Sequence, residues 1–242
     1  MSRLYLKTEF KNNRTIITDS FFTSPLKVAK PFYHKNFTEI MMMTASAGIL
    51  ENDFYDIEID VTENSKLKFS GQSYTKIFTS VEKGAVQKVK INVGKNADFI
   101  YFPMPVIPFR DSVFRSNTEI HLDKSSKFAI LDVISCGRKA MGEIFDFKSY
   151  ISRITVYIDE KPVFLDNQRL VPYEINLSGL GFFENHTHIG MLYLYGYEVE
   201  NLPVNDNIEY GFSKAFDGTC IRISGNSGDD ILRFANRIIK NI

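Results

Sequence analysis

The four residues Asn64-Ser65-Lys66-Leu67 return in altered form as Asn96-Ala97-Asp98-Phe99 and again as Ser125-Ser126-Lys127-Phe128, at spacings of 32 and 29 residues. Each copy gives a polar turn residue, a small residue, an outward polar residue and an inward apolar one. Successive coils of a stacked β structure need that order as each coil re-enters a shared core. Three imperfect copies favour stacking, and an ordinary meander with similar hairpin turns stays open as the other reading.

The segments between the turns alternate with a period of two. Asp56-Ile57-Glu58-Ile59-Asp60-Val61 places apolar side chains on one face and carboxylates on the other, as a half-buried strand does. Further strands are expected at Lys66 to Ser70, Val86 to Val93, Phe114 to Leu122, Phe128 to Ser135, Ile151 to Ile158 and Met191 to Val199. Many are rich in the β-branched and aromatic residues that suit a pleated surface. Helical periodicity is confined to the end of the chain. Ile231, Leu232, Phe234, Ala235, Ile238 and Ile239 share a helical face, with acidic residues before them and Arg237 and Lys240 near the finish, complementing the helix dipole. A shorter helix is expected at about Ile208 to Ala215, with a strand from Thr219 to Ser224 between the two. The expected fold is therefore mainly β: a β-helix-like, β-solenoid body in one domain, 1–242, with a small C-terminal α/β segment of about two helices from about 205.

Composition narrows the function. With 29 Lys plus Arg against 29 Asp plus Glu, nothing electrostatic favours nucleic acid or an anionic membrane. Two cysteines, Cys136 and Cys220, are too few for a disulfide framework or a cysteine-based zinc site. Reduced thiols and an N-terminus that does not read as a secretory signal suit the cytoplasm. No run approaches the roughly 20 apolar residues of a membrane helix.

Common catalytic motifs are absent: no Walker A loop, no G-x-G-x-x-G after a strand, no G-x-S-x-G elbow and no H-E-x-x-H. His186 and His188 can lie on one side of a strand, but two imidazoles without further ligands read better as polar loop or strand-start residues than as a metal site. Cys136, at a strand end, and Met41-Met42-Met43, within an apolar segment, read as core. Asp53, Asp132, Glu143 and Asp166 stand out, because each lies in or beside an apolar stretch where an unpaired carboxylate is costly to bury. Such residues pair with a base, bind a cation or line water; Arg138, Lys76 and Arg169 are the candidate bases.

Four strings resemble the urease accessory protein family called UreD or UreH. Ser24-Pro25-Leu26-Lys27 followed by Lys30-Pro31-Phe32-Tyr33 resembles its S-P-L-K/R and R-P-F. Ser46 to Asp53 resembles its glycine-rich segment ending in G-G-D, with one glycine and the aspartate kept. Gln72-Ser73-Tyr74-Thr75-Lys76-Ile77-Phe78 is similar to T-Q-x-x-x-K-[VI]-[YF]. Cys136-Gly137-Arg138-Lys139-Ala140-Met141-Gly142-Glu143-Ile144-Phe145 is similar to L-G-R-x-x-x-G-E-x-F, the most specific of the set. Phe102 to Phe109 looks like the P-x-P-x-I-P-F variant of the shorter, UreH branch. The likeness runs from about residue 4 to residue 240, with a C-terminus that stops early for the family.

The resemblance implies a non-enzymatic chaperone that assembles with helical accessory protein F and GTPase accessory protein G on apo-urease, in a complex that is a dimer of heterotrimers for similar proteins, and assists nickel insertion. It also implies a stacked β body with an internal, water-filled nickel passage and no tightly bound cofactor. By motif match Asp53, Asp132, Glu143 and Asp166 fall on acidic positions of the family pattern, which makes them candidates for transient Ni(II) contact. Oxygen ligands suit a passage, since several imidazoles or thiolates would trap the ion. Two other readings compete: a β-solenoid protein-binding scaffold with no metal role, and a hydrolase using Asp132 with Glu143.

Overall fold

The computed structural model describes residues 1–199 and 207–241. Chain order begins β1 (Ser2–Lys11), β2 (Arg14–Phe22), β3 (Leu26–Val28), β4 (Phe32–Tyr33), β5 (Thr38–Thr44) and β6 (Phe54–Val61). It continues β7 (Lys66–Gly71), β8 (Thr75–Ile77), β9 (Ala85–Val93), β10 (Asp98–Phe102), β11 (Val106–Pro108) and β12 (Val113–Leu122). The last elements are β13 (Lys127–Ser135), β14 (Ser149–Ile158), β15 (Lys161–Leu170), β16 (His188–Tyr195), β17 (Ile208–Ala215), β18 (Gly218–Gly225) and α1 (Gly228–Asn241).

These strands build two facing sheets. The first has the order β15-β14-β12-β9-β6-β1-β2; the second runs β17-β18-β16-β13-β10-β7-β5-β3, with β4, β8 and β11 joining off that path. In the first sheet β1, β6, β9, β12 and β14 pair in parallel, as do β5, β7, β10 and β13 in the second. The chain thus winds a β-solenoid of about four turns.

The repeated turns stack one on another. Asp98 pairs in register with Lys66 on one side and Lys127 on the other, and Phe99 with Leu67 and Phe128. The small residues Ser65, Ala97 and Ser126 are buried at the same corner. Asn64 and Asn96 adopt φ of 61° and 53°, the left-handed region that asparagine tolerates. The Asn96 side-chain amide reaches Asn64 Oδ1 at 3.4 Å, and the Asn96 backbone N–H donates to Ser125 Oγ at 2.9 Å.

The interior between the sheets is one continuous core, and a second core lies under α1. Ala129, Leu131 and Val133 point outward from β13 but are buried by Ile231, Phe234, Ala235 and Ile238 of the helix. Ser227 starts α1 by accepting from the Asp230 N–H, and Asp229 and Asp230 occupy the first turn.

Helix expected at Ile208 to Ala215 is strand instead. β17 pairs antiparallel with β18 along its whole length, from Ile208 opposite Gly225 to Ala215 opposite Gly218. Two residues close the hairpin, with Phe216 at φ 52°. Ile208, Tyr210 and Phe212 alternate with a period of two, and Gly211 weakens a helix. The C-terminal segment therefore carries one α-helix among the described residues. The expected strand from Met191 begins at His188 and ends at Tyr195.

Candidate functional site

Because strands of both sheets run in register, inward side chains form layers across the solenoid. Two layers of the first sheet are aliphatic: Leu6, Ile59, Ile91, Ile120 and Val156, then Val61, Val93, Leu122 and Ile158. Nearer the other end of the strands the inward residues turn polar. Tyr55, Gln87, Ser116 and Ser152 stand side by side on β6, β9, β12 and β14. Facing them on the second sheet are Met42 beside Gly71, and Asp132 in line with Met191 and Arg222.

Space follows this layer. A cavity of about 210 Å³ is lined by Ser46, Tyr55, Gln72, Lys76, Gln87 and Met104, and its mouth lies among the exposed Thr44, Ala47, Gln72 and Ser73. A deeper cavity of about 50 Å³ contains Gln87, Ser116, Thr118, Asp132 and Ser152 in its wall. Met42, Thr75, Gln87, Pro103 and Met104 line both, so they form the neck between them. Water needs roughly 10–15 Å³ and several polar partners, which the deeper cavity supplies. A separate open groove of about 770 Å³ runs between β15 and the β17–β18 hairpin, with Asp166 and Arg222 in its lining.

Asp132 belongs to the wall of the deeper cavity and Asp166 to the lining of the groove. Asp132 is enclosed by protein, and the surface it keeps faces the deeper cavity. Ser152 Oγ donates to its Oδ2 at 3.0 Å; its Oδ1 accepts no hydrogen bond among the described residues. Burial pushes the Asp132 carboxyl up to about 6, against the Ser152 hydrogen bond; the Asp166 charge adds to the rise and Arg222 opposes it. Asp166, on β15, is 5% exposed and ion-paired with Arg222 of β18.

Asp53 and Glu143 have other partners. Asp53 Oδ2 accepts from the Leu50 N–H at 2.8 Å and from the Tyr55 hydroxyl at 3.2 Å, so it reaches the outer cavity only through Tyr55. Burial and then this carboxylate raise the Tyr55 phenol to about 12. Asn52, where the family pattern has glycine, takes φ 65° and keeps the turn. Gly48 is the retained glycine, and a Cβ there would meet the Lys76 carbonyl at 2.5 Å.

Glu143 is a clamp. Arg138 Nε donates to its Oε2 at 2.7 Å, Arg138 Nη2 bonds its Oε1, and the Arg110 N–H adds a third contact at 3.1 Å. The Arg138 pairing holds Glu143 below the usual carboxylate range. Gly137 at φ 124° and Gly142 at φ 76° make the turns this needs, and Arg138 stacks 3.9 Å from the Phe109 ring centroid. The most specific string thus spells out a braced loop.

The remaining candidates are occupied elsewhere. His188 Nδ1 contacts Thr187 Oγ1 at 2.9 Å, whereas His186 lies 3.9 Å from Glu209. Among the described residues no three His, Cys, Asp or Glu side chains gather as a metal site. Cys136 and Cys220 are buried, which raises both thiols. Met42 packs on the core and borders both cavities. Arg169 pairs with Glu174, and Lys76 pairs with none of the four carboxylates among the described residues. Arg222 and the polar layer itself were not among the sequence candidates, although Gln87, Ser116, Thr118 and Ser152 interrupt inward positions that are otherwise mostly apolar.

Comparison with known proteins agrees with the strings. The family described as UreD urease accessory protein matches residues 1–242. The chain is 38% identical to the urease accessory protein UreD of Acetivibrio thermocellus, covering 100% of this chain and 96% of that one. It is 34% identical to the urease accessory protein UreH of Helicobacter hepaticus, covering 96% and 95%. A UreD of Flavobacterium johnsoniae is 30% identical over 100% and 92%. A β-solenoid with a braced Arg138–Glu143 loop, matched from end to end, belongs to the UreD/UreH family of urease accessory proteins.

Proposed function

We propose that this chain is a non-enzymatic metallochaperone scaffold of the cytoplasm. It assembles with accessory protein F and the GTPase accessory protein G on apo-urease, as a dimer of heterotrimers, and its polar layer carries Ni(II) toward the urease active site. The observation that supports this most is the pair of cavities joined at Gln87, with Asp132 in the deeper wall and Asp166 in the lining of the nearby groove. Its walls offer hydroxyl, amide and carboxylate oxygens, which hold Ni(II) loosely enough for release. The cargo would travel with part of its water, handed from Gln87 and Ser116 to Asp132 and then Asp166. Asp53 and Glu143 would act at a distance, by holding Tyr55 and the 137–145 loop.

The test is nickel per urease active site, in cells expressing the cognate urease and accessory proteins F and G. Omitting the chain is expected to abolish loading under limiting nickel. Asp132→Asn is expected to keep complex formation and to lower loading at least fivefold. Full loading with Asp132→Asn in an intact complex would leave a protein-binding scaffold without a metal route.

A further inference from the structure

An ion pair lies in the lining of the groove, near enough to Asp132 for both of its charges to act on that carboxylate, and its two members are unequally free. Asp166 is held on β15 of the first sheet with its side chain 6% exposed, whereas the Arg222 side chain, on β18 of the second sheet, is 53% exposed toward the groove. The pair therefore bridges the two sheets across the end of the solenoid. Its cation has a way out into solvent; its anion does not. Asp132 lies in register with Arg222 through Met191, and it belongs to the wall of the deeper cavity.

We propose that Arg222 is the gate of this route: a resident cation that closes its groove end and swings into the groove when a divalent metal ion takes its place between Asp132 and Asp166. The proposal rests on the passage reading given above and adds its regulation. Exchanging one cation for another never leaves Asp166 buried and unpaired, a state that costs several kcal/mol. A single guanidinium balances one of the two carboxylates, and a dication balances both. Arginine suits a resting plug because its planar fork grips a carboxylate while its long, flexible stem allows withdrawal. In the empty protein the route is shut at its groove end, while the chamber keeps its neck to the outer cavity.

The experiment is equilibrium dialysis of the purified chain against nickel chloride. Arg222→Gln is expected to bind nickel at least tenfold more tightly than wild type, and Asp132→Asn in the same chain is expected to abolish the gain. Unchanged affinity, or a gain that survives Asp132→Asn, would overturn the gate. Should Arg222→Gln fail to fold, Arg222→Lys keeps the charge with a weaker grip. A gain of about threefold is then expected, and no gain overturns the proposal. The passage is judged separately: Asp132→Asn that lowers urease loading beside an unchanged Arg222→Gln dialysis curve removes the gate and keeps the route. Full loading with Asp132→Asn removes the route.

Discussion

Two halves of one interior differ in what their inward positions carry. Toward the stacked Asn64, Asn96 and Ser125 turns the layers are isoleucine, valine, leucine and phenylalanine, closed and dry; toward the other end they become tyrosine, glutamine and serine around two cavities. The same strands supply both halves, so backbone and twist are held constant. Side-chain choice alone separates a region that stabilises the coil from a region that admits a polar guest. The dry half carries the stability that lets the wet half keep a buried carboxylate.

The largest expected effect lies in the dry half. Phe99 is fully buried between Leu67 and Phe128, and Phe99→Ala should cost about 3–5 kcal/mol, read as a lower urea midpoint at unchanged slope. A loss under 1 kcal/mol would mean that the turn-side layers do not bear the fold.

The next effect has the opposite sign. Asp132 has a folded pKa of about 6, above its unfolded value of about 3.9. A raised carboxylate pKa means the folded state holds its proton longer. Folding is therefore penalised as pH climbs from about 4 to 6, by about 3 kcal/mol above that window. Asp132→Asn should stabilise the chain by that order at pH 7.5 and by nothing near pH 3.5, in denaturant titrations at both values. A variant that is no more stable at pH 7.5 would show Asp132 already compensated.

The smallest effect on stability concerns Gln87, whose side chain lies at the neck and makes no hydrogen bond to described residues. Gln87→Leu should change stability by less than about 1 kcal/mol, since it extends the aliphatic pattern by one position. Nickel loading of urease should nevertheless fall severalfold. A large stability loss would place Gln87 in the fold rather than on the route.

Much of this difference was legible in the chain. The turn repeat, the alternating strands and the α1 pattern are local signals, and the structure follows them. Asp166 was legible as an unusual carboxylate, but its partner was not: Arg169 is nearby in sequence, yet Arg222, 56 positions away, forms the pair. Only the return of β18 beside β16 brings them together. Glu143 was readable as either an Arg138 partner or a route residue, and the geometry gives it three structural contacts. β17 misled because a short apolar run with exposed neighbours fits a period of two or of 3.6 equally well.

The stacking of coils has a consequence for design. Each coil adds about 5 Å along the solenoid axis, the spacing of neighbouring strands. A conduit confined to one side-chain register takes its length from the number of coils and its bore from the residues at that register. The two are written independently in the chain, so a tube of this kind can be lengthened by duplicating a coil, or narrowed by a point substitution, without one change disturbing the other.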